Sequence, residues 1–464
     1  MPIADVVSAV KEWKLRKPLY DEYRDYHAGN HQLRFATKDF ANKYGDVVKS
    51  LRENLCPAVV SAYADKVQVD KWGDAEDDDD AVTEGLNRLL GQVTAETMRC
   101  GNAYVLVWPG PDGQPTPHYH RADAFVPHAN PFDASVLDWA AKVWFDITAR
   151  RGRVNVYYTD RVERYATAGQ LAEGSEGDLP DADSGWMPWS DDDGQATISH
   201  PFGAVPVCWF KRDADSPEAW GQSVLADVIP LQDGLNTSLA HMVVTGEAYA
   251  KPFWYLLNFQ PKNPGNPLAV AGEYQQALGE LQQLNEKAAR KFDPTSQRIF
   301  THDGPGPFGQ LDPPDMTHLL KVQDGFAQKI ARVAGVPAYY LSQTSGDVPS
   351  GESLRVLSSR LTSGVQSFTR EAAPVWRGFK QLMGMDDAAP RFADPMPLTA
   401  EERLALAVEE KALGLPAEVW LRTAGYDPNE TDATGVTLAD RVRTSAADVG
   451  QAFANGDIGT GAGL

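Results

Sequence analysis

The sequence predicts an α+β fold that is mainly helical, and three observations indicate it. Apolar residues recur at helical spacing along several segments, the longest of which runs from Gly351 to Met383. Between Asn102 and Phe210 the pattern changes to short β-rich segments separated by turn clusters. A proline-rich stretch, Lys251 to Pro314, combines both patterns between two predicted helices. We therefore interpret this stretch as a small lobe inserted between them.

The composition indicates a large protein with no membrane segment and no disulfide framework. The chain has 464 residues, of which 42% are hydrophobic, and this is ample for a core and long for one compact domain. No run of about 18 apolar residues occurs, so we expect no association with a membrane. Cys56, Cys100 and Cys208 are widely separated and form no CxxC pair. We expect three inert, buried thiols and assembly in a reducing cytoplasm.

The net charge restricts how the chain can interact with nucleic acid. There are 43 Lys and Arg residues against 64 Asp and Glu residues, a formal charge of -21. Tight, non-specific wrapping of DNA requires basic residues that neutralise phosphates. The composition argues against such wrapping, but it is compatible with DNA that passes an acidic wall and is repelled by it.

Helices are predicted before the β-rich region, and an exposed loop within it. Tyr44 to Val67 and Thr83 to Cys100 carry apolar residues at helical spacing. The acidic run Asp74 to Asp80 lacks the ligand spacing of a calcium loop, so we interpret it as a surface loop. Gly174 to Gly194 is rich in Gly, Asp and Ser and predicts a long exposed loop. Predicted strands include Ala103–Trp108, Ala141–Thr148, Arg153–Thr159 and Val205–Trp209.

Two helices are predicted to flank the inserted lobe. Ser223 to Tyr249 carries an apolar stripe, and Pro230 either kinks this helix or begins its main part. Asp315 to Ala334 carries a second stripe and stops at Gly335, a common helix ending. The second stripe consists of Leu319, Val322, Phe326, Ile330 and Val333.

The longest predicted helix, Gly351 to Met383, would run roughly 50 Å at 1.5 Å per residue. Pro374 lies inside the pattern and is expected to bend the helix, because proline removes a backbone donor. Basic residues outnumber acidic ones here, which indicates either DNA contact or ion pairs between subunits. The residues are Arg355, Arg360, Arg370, Arg377 and Lys380 against Glu352 and Glu371.

Two passages match catalytic motifs only superficially. Gly304 to Gly309 fits GxGxxG, but its prolines remove donors that a phosphate needs, and no helix is predicted behind it. Ser350 and Glu352 are better explained as the start of the long helix than as a nucleophile turn. The sequence GxxxxGK[ST] is absent, so the chain is not expected to be a P-loop motor.

His118 and His120 are the strongest candidates for a metal site. They alternate as residues on one face of a strand do, but no third ligand is placed by the sequence. We favour an ordinary strand or loop, and we expect no catalytic residues, no metal and no cofactor.

Three passages are specific in their order and spacing: Gly221 to Asn236, Ile330 to Pro337, and Pro349 to Leu354 at the start of the long helix. Together they resemble the portal, or head-to-tail connector, proteins of long-tailed bacteriophages. The resemblance extends from Ala103 to Gly425. It implies a portal-type subunit with a wing, a two-helix stem, an inserted clip, a long kinked helix and a helical crown.

The resemblance also implies boundaries for these parts. We expect an α/β wing at 1–222, a first stem helix at 223–250, a clip at 251–314, a second stem helix at 315–336, a tunnel loop at 337–350, the long kinked helix with a return to the wing at 351–398, and a crown with a flexible C-terminal tail at 399–464.

The function implied by the resemblance is a ring-shaped channel at one capsid vertex. Members of the family form rings, typically of about twelve subunits, through which double-stranded DNA is packaged and ejected without being tightly bound. The implied partners are the terminase large subunit, a head-tail adaptor, and the major capsid and scaffold proteins. The implied location is the virion.

Residues near the DNA are predicted from the same resemblance. Uncharged polar and aromatic side chains of the tunnel loop can touch a duplex without binding it tightly. Tyr339 and Tyr340 could equally pack against neighbouring helices. The candidates for the DNA channel are Tyr339, Tyr340, Gln343, Thr344, Ser345 and Arg355.

Two alternatives remain at this stage. The chain could be another head-tail structural protein of a phage, such as an adaptor or a minor capsid protein. A metal-dependent hydrolase that uses His118 and His120 is the alternative from a different class. The long helix and the inserted lobe favour the portal.

Overall fold

The structure is a computed structural model that divides into two compact units, residues 1–392 and 393–464. It describes residues 3–30, 53–73, 80–133, 135–172, 177–190, 194–249, 254–257, 299–302, 308–310, 316–341, 351–396, 400–426, 428 and 436–443. The tail predicted after Gly450 and most of the acidic run lie outside the described residues.

Most of the described helices of the first unit overlap predicted ones. The described helices are α1 (Ile3–Ala28), α2 (Cys56–Ala64), α3 (Asp80–Cys100), α4 (Ile229–Tyr249), α5 (Met316–Ala334) and α6 (Gly351–Leu382). The predicted helix Tyr44 to Val67 is helical only at Cys56–Ala64, and its residues 44–52 lie outside the described residues. Helix α4 begins at Ile229 rather than at Ser223, because residues 224–228 form turns. Pro230 therefore begins this helix, where its missing N–H is not needed. Helix α6 is continuous through Pro374.

The strands in the described part of the first unit form four sheets. Their bounds are β1 (Val69–Lys71), β2 (Asn102–Pro109), β3 (Pro115–His120), β4 (Phe125–Ala129), β5 (Leu137–Asp146), β6 (Arg151–Tyr157), β7 (Arg161–Thr167), β8 (Trp186–Pro188), β9 (Thr197–Ser199), β10 (Val207–Lys211), β11 (Trp254–Leu257), β12 (Ile299–His302), β13 (Phe308–Gln310) and β14 (Arg391–Phe392). The four strands named from sequence correspond to β2, β5, β6 and β10.

The larger sheets are antiparallel. Strand β2 lies between β10 and β3, and a second sheet runs in the order β4-β5-β6-β7-β8, with β9 also paired to β7. The predicted exposed loop Gly174–Gly194 is wrong in part, because it contains β8 and the buried side chains of Leu179 and Trp186. Composition could not reveal that these two apolar residues cover the sheet.

The first unit is layered, and β2 lies at its centre. One face of β2, with Ala103, Val105 and Val107, belongs to the same core cluster as α2, α3 and α6. The opposite face, with Tyr104 and Leu106, packs against the six-stranded sheet. Burial on both faces explains why this strand is a continuous apolar run rather than an alternating one. Helix α1 covers the far face of the six-stranded sheet.

Helix α6 supplies the centre of the largest core. Its predicted stripe is confirmed in the middle of the helix, where Leu361, Val365 and Phe368 are buried. Trp376 follows on the same side, with ring centres 5.2 Å from Trp72 and 4.7 Å from Phe210.

The stripes are incomplete at other positions. Val322 and Val333 of α5 and Leu357 of α6 are exposed, although periodicity placed all three on a packed face. The stripe prediction is therefore wrong for these residues within a single subunit.

The inserted lobe contains a three-stranded sheet in the order β12-β11-β13. Strands β11 and β12 are parallel, whereas β11 and β13 are antiparallel. The β-rich part of the pattern predicted for Lys251 to Pro314 is confirmed in the described residues of this stretch.

The second unit contains the predicted helical pair, α7 (Ala400–Ala412) and α8 (Ala417–Ala424). Its small core includes Ala417, Leu421 and Ala439. Helix α8 ends at Gly425, whose φ of 94° lies in the left-handed region that glycine adopts easily. No helix in the described part of the chain is long and apolar enough to cross a bilayer.

Two glycines allow the backbone before α4 to lie against the end of α3. A Cβ at Gly221 would lie 2.0 Å from the carbonyl oxygen of Gly101, and one at Gly101 would lie 2.4 Å from that of Gly221. The buried Asn102 side chain joins the same segments, since its Oδ1 accepts the Gly221 N–H at 3.1 Å. The first residue of the passage Gly221–Asn236 is thus required by a close backbone approach.

We predict that Gly221→Ala destabilises the first unit by about 1–3 kcal/mol, because the clash is with backbone that cannot rotate away. Gly91→Ala in α3 is the matched control, since a Cβ there has no neighbour within 4 Å. The control should be neutral or stabilise by up to about 1 kcal/mol. Urea unfolding measures both, and equal stability of the two variants would contradict the prediction.

Candidate functional site

The candidate site lies where α5 ends and the predicted tunnel loop begins. Gly335 has a φ of 71°, and the Val336 N–H donates to the carbonyl of Ala331 at 2.9 Å. This geometry closes the helix, as the sequence predicted. A short 3₁₀ turn follows at Ala338–Tyr340, and the side chain of Leu341 after it is buried.

Two side chains from other helices hold the carbonyl groups at the end of α5. The hydroxyl of Tyr63 in α2 donates to the Ala334 carbonyl at 2.8 Å, and the Arg360 guanidinium of α6 donates to the Arg332 carbonyl at 2.7 Å. Burial raises the pKa of the Tyr63 hydroxyl, so it stays protonated and able to donate. A cation at a helix C-terminus is also favoured by the helix dipole.

Close packing at Tyr63 joins three helices at this junction. A Cβ at Gly364 of α6 would lie 2.9 Å from the Tyr63 ring, and one at Gly335 would lie 3.1 Å from its hydroxyl. Only residues without a side chain allow α5 and α6 to approach this ring so closely. The sequence analysis missed Tyr63, because a tyrosine in an apolar helix is typical of an ordinary core residue.

The predicted channel tyrosines have different environments. The Tyr339 hydroxyl lies 3.2 Å from Oγ of Ser358 in α6, so this side chain does pack against a helix. Tyr340 is 41% exposed and meets the Tyr339 ring edge-on, with centroids 4.8 Å apart. Arg355 is half-buried in the second turn of α6. Gln343, Thr344 and Ser345 lie outside the described residues.

Buried polar groups at the start of α4 bind the N-terminal part of the chain. The Tyr26 hydroxyl donates to the Asp233 carboxylate, at 2.7 and 2.8 Å from its two oxygens. The Gln232 amide donates to the Glu53 carbonyl at 2.7 Å and accepts the Leu55 N–H at 3.0 Å. The polar residues of the passage Gly221–Asn236 therefore fix α4 to Tyr26, Glu53 and Leu55.

The basic residues of α6 are used largely within the subunit. Lys380 is fully buried and donates to Oδ1 of Asp386 at 2.6 Å and to the Ala388 carbonyl at 3.0 Å. This hydrogen bond lowers the pKa of Asp386. Arg377 pairs with both carboxylate oxygens of Asp387. The interpretation of Lys380 as a contact to DNA or to another subunit is wrong, because its charge is neutralised internally.

A second buried charge cluster was missed from sequence. Arg24 of α1 contacts Glu96 at 2.5 Å and Asp123 at 3.0 Å, and the Ala122 N–H donates to Glu96 at 3.0 Å. The cluster joins α1, α3 and the turn after β3. The partners are far apart in the sequence, so no local pattern indicates them.

The histidine pair lies on β3 without a third ligand nearby. His118 and His120 oppose Leu106 and Tyr104 of β2. Burial, with a smaller effect of the Lys142 charge, lowers the pKa of His120 to about 4. In the described ranges no group of three potential metal ligands occurs. The arrangement favours an ordinary strand residue pair.

The cysteines are buried, as expected. Burial raises the pKa of Cys56 and of Cys208 to about 12, and it also raises the pKa of Cys100. Thiols in such environments are poor nucleophiles.

Comparison with known families identifies the chain. A family model described as "Phage portal protein, SPP1 Gp6-like" matches residues 62–383, from α2 to the end of α6. This range is more than half of the chain, and the chain therefore belongs to the SPP1 Gp6-like family of phage portal proteins. The resemblance stated from sequence is confirmed.

Two similar proteins are both named Portal protein. That of Mycobacterium phage L5 is 23% identical over 262 residues, which are 54% of this chain and 50% of the relative. That of Mycobacterium phage D29 is 25% identical over 187 residues, which are 40% of this chain and 34% of the relative. The chain thus matches half or less of the length of these relatives.

Similar solved structures have low identity. One is described as the neck of a native GTA particle computed with C12 symmetry; it is 14% identical, with a TM-score of 0.42 over 85% of this chain and 95% of that chain. Another is an HK97 family phage portal protein from Corynebacterium diphtheriae, 10% identical, with a TM-score of 0.31 over 78% of this chain and 99% of that chain.

We predict that Tyr63→Phe costs about 1–3 kcal/mol, because it leaves the buried Ala334 carbonyl without its donor. Faster amide exchange at residues 336–341 should accompany the loss, since these residues follow the junction. Tyr426→Phe, which removes a hydroxyl from an exposed side chain of the second unit, is the control. Unfolding in urea and hydrogen exchange measure the two effects. Unchanged exchange would mean that Tyr63 does not hold the end of α5.

Proposed function

We propose that this chain forms the ring-shaped channel at one capsid vertex through which phage DNA is packaged and later ejected. The observation that carries the proposal is the family match over residues 62–383, which includes both helices that flank the lobe. The proposed ring contains about twelve subunits with closed cyclic symmetry. In this role the protein is a structural component of the virion rather than an enzyme, and it needs no cofactor.

The fold supports the division of the subunit into functional parts. Helices α4 and α5 form the proposed stem, and their approach at Gly234 is close, since a Cβ there would lie 2.5 Å from the Phe326 ring. The β11-β12-β13 sheet belongs to the segment between these helices and corresponds to the proposed clip at 251–314. The layered sheets at 1–222 correspond to the proposed wing, and residues 399–464 to the crown and tail.

The partners follow from the same proposal. The terminase large subunit docks at the clip during packaging, and a head-tail adaptor replaces it afterwards. Major capsid and scaffold proteins surround the ring at the vertex, and assembly takes place in the host cytoplasm. The charge of -21 per chain supports weak interaction with the passing duplex, because acidic surfaces repel phosphate.

The segment 337–350 is proposed to face the DNA. Tyr340 supports this assignment, since its aromatic ring is partly exposed beside the first turns of α6. Tyr339, Gln343, Thr344, Ser345 and Arg355 belong to the same proposed surface. Apart from Arg355, these groups are uncharged, and uncharged groups meet a duplex without the counterion release that makes basic surfaces bind tightly.

Ring formation is the first expected outcome. Negative-stain electron microscopy of the purified chain should show rings with a central hole, and a solution mass measurement should give about twelve times 50.7 kDa. If the chain alone does not assemble into rings, the measurements are repeated with scaffold and capsid proteins added. A monomer at every concentration, with and without these proteins, would overturn the channel proposal.

Proximity to DNA is tested with a cysteine at position 340. We expect Tyr340→Cys, labelled with a photo-crosslinker, to crosslink to DNA in particles that have been filled in vitro. The native cysteines are buried and should not react with the label. Ile147→Cys is the control, because Ile147 is exposed on the turn after β5, in the proposed wing. Equal DNA crosslinking at both positions would reject the assignment of the tunnel loop.

A further inference from the structure

The loop between β4 and β5 presents a large apolar side chain to solvent. Phe132 at the tip of this loop is 97% exposed, and Val136 in the same loop is 50% exposed. Covering an aromatic ring that is fully exposed is favourable, because it removes apolar surface from water. Buried aromatic anchors dominate the binding energy of many interfaces. We name the described residues of this loop, 130–133 and 135–136, the tab.

Hydrogen bonds hold the tab in one conformation. Oδ1 of Asn130 accepts the N–H groups of Phe132 at 2.8 Å and Asp133 at 3.1 Å, while the Asn130 amide donates to Asp138 at 2.7 Å. The Asn130 N–H also donates to the Val136 carbonyl at 2.8 Å, which closes the loop. A loop that is ordered before binding loses little entropy when it binds.

The same subunit contains a cleft with the complementary chemistry. The cleft has a volume of about 480 Å³ and opens between the edge strand β3 and the six-stranded sheet. Its aromatic walls include Trp108 and Tyr157, whose ring centroids lie 5.7 Å apart in an edge-on arrangement. His118 and Lys142 lie at the same cleft. Such walls favour the edge or face of another aromatic ring.

The charges of the tab and the cleft are also complementary. Asp133 follows Phe132 directly, and hydrogen bonds from Ser135 lower the pKa of its carboxyl, so the tab is anionic. Lys142 is half-buried at the cleft, where its ammonium group lies 5.6 Å from the centroid of the Trp144 ring, and burial lowers its pKa. An incoming carboxylate beside an aromatic ring would add an ionic partner to this cation.

The tab cannot fill the cleft of its own subunit. Phe132 lies before β5, which starts at Leu137. Lys142 lies five residues after Leu137 on this strand, a distance of roughly 17 Å at 3.3–3.4 Å per residue. The hydrogen bonds of Asn130 keep the loop closed at its end of the strand. The ring therefore has to be received by another molecule.

We propose that Phe132 of each subunit inserts into the cleft of a neighbouring copy, with Asp133 placed beside Lys142 of that copy. The inference rests on the proposed ring, in which each subunit presents both halves of a head-to-tail interface. A tab and a matching cleft on one chain are what such an interface requires. The contact would join the β-sheets of successive subunits.

The first test is a charge-reversal cycle followed by solution mass and electron microscopy. Asp133→Lys and Lys142→Glu should each raise the concentration needed for half-maximal ring formation by about tenfold or more, because each places like charges together. The double variant should recover most of this loss, since the pair is restored with opposite polarity. Phe132→Ala should weaken the ring by a similar factor. Ile147→Ala, which removes another exposed apolar side chain, should leave the ring unchanged.

A second test does not depend on the stability of these variants. Phe132→Cys combined with His118→Cys, treated with a short bismaleimide, should give a ladder of covalent oligomers, whereas Ile147→Cys with His118→Cys should not. The native cysteines are buried and do not contribute.

The outcomes separate this inference from the proposed function. The tab contact is overturned if the wild-type chain and Phe132→Ala form rings equally well and the crosslinked cysteine pair gives no ladder. The channel proposal would stay intact in that case. If the wild-type chain forms no ring under any condition, the channel proposal itself fails. Loss of capsid or adaptor binding by Phe132→Ala, with normal rings, would assign the tab to a different partner and would also reject the inference.

Discussion

The carbonyl groups at the end of α5 impose the constraint on which the surrounding structure depends. A helix leaves its last carbonyls without intrahelical donors, and burying them unsatisfied is costly. Here Tyr63 of α2 donates to the buried Ala334 carbonyl, and Arg360 of α6 donates to the carbonyl of the exposed residue Arg332. These two hydrogen bonds join three helices at one point. The chain leaves that point as the proposed tunnel loop, so the position of Tyr339 and Tyr340 is set by residues outside the loop.

Apolar periodicity predicted the elements well where one face of a helix meets a core. Leu361, Val365 and Phe368 of α6 are buried as their spacing indicates. Periodicity shows which face is apolar, but it does not show what covers that face. Val322 and Val333 belong to an apolar stripe and are nevertheless exposed in one subunit. Short strands such as β4 and β7 were missed because their polar and proline residues obscure the alternation.

Charge was the property that the sequence predicted least well, at the candidate site and elsewhere. Lysine on a helix is usually solvated, because burying an unpaired charge is costly. Lys380 is buried because Asp386 follows just after the helix and the Trp72 carbonyl, 308 residues away in sequence, completes its shell. Arg24 is likewise paired across α1 and α3. Tertiary contacts decide such pairs, and a single sequence does not reveal them.

This internal pairing bears on how the proposed channel would treat DNA. Tight binding to a duplex grows with the number of cations that are free to neutralise phosphates. On α6, Lys380 is buried and pairs with Asp386, and Arg377 pairs with Asp387. The excess of basic residues along this helix therefore does not amount to an equally basic surface. Part of the basic charge of this long helix therefore stabilises the subunit itself. The proposed channel would then attract DNA only weakly, as passage requires.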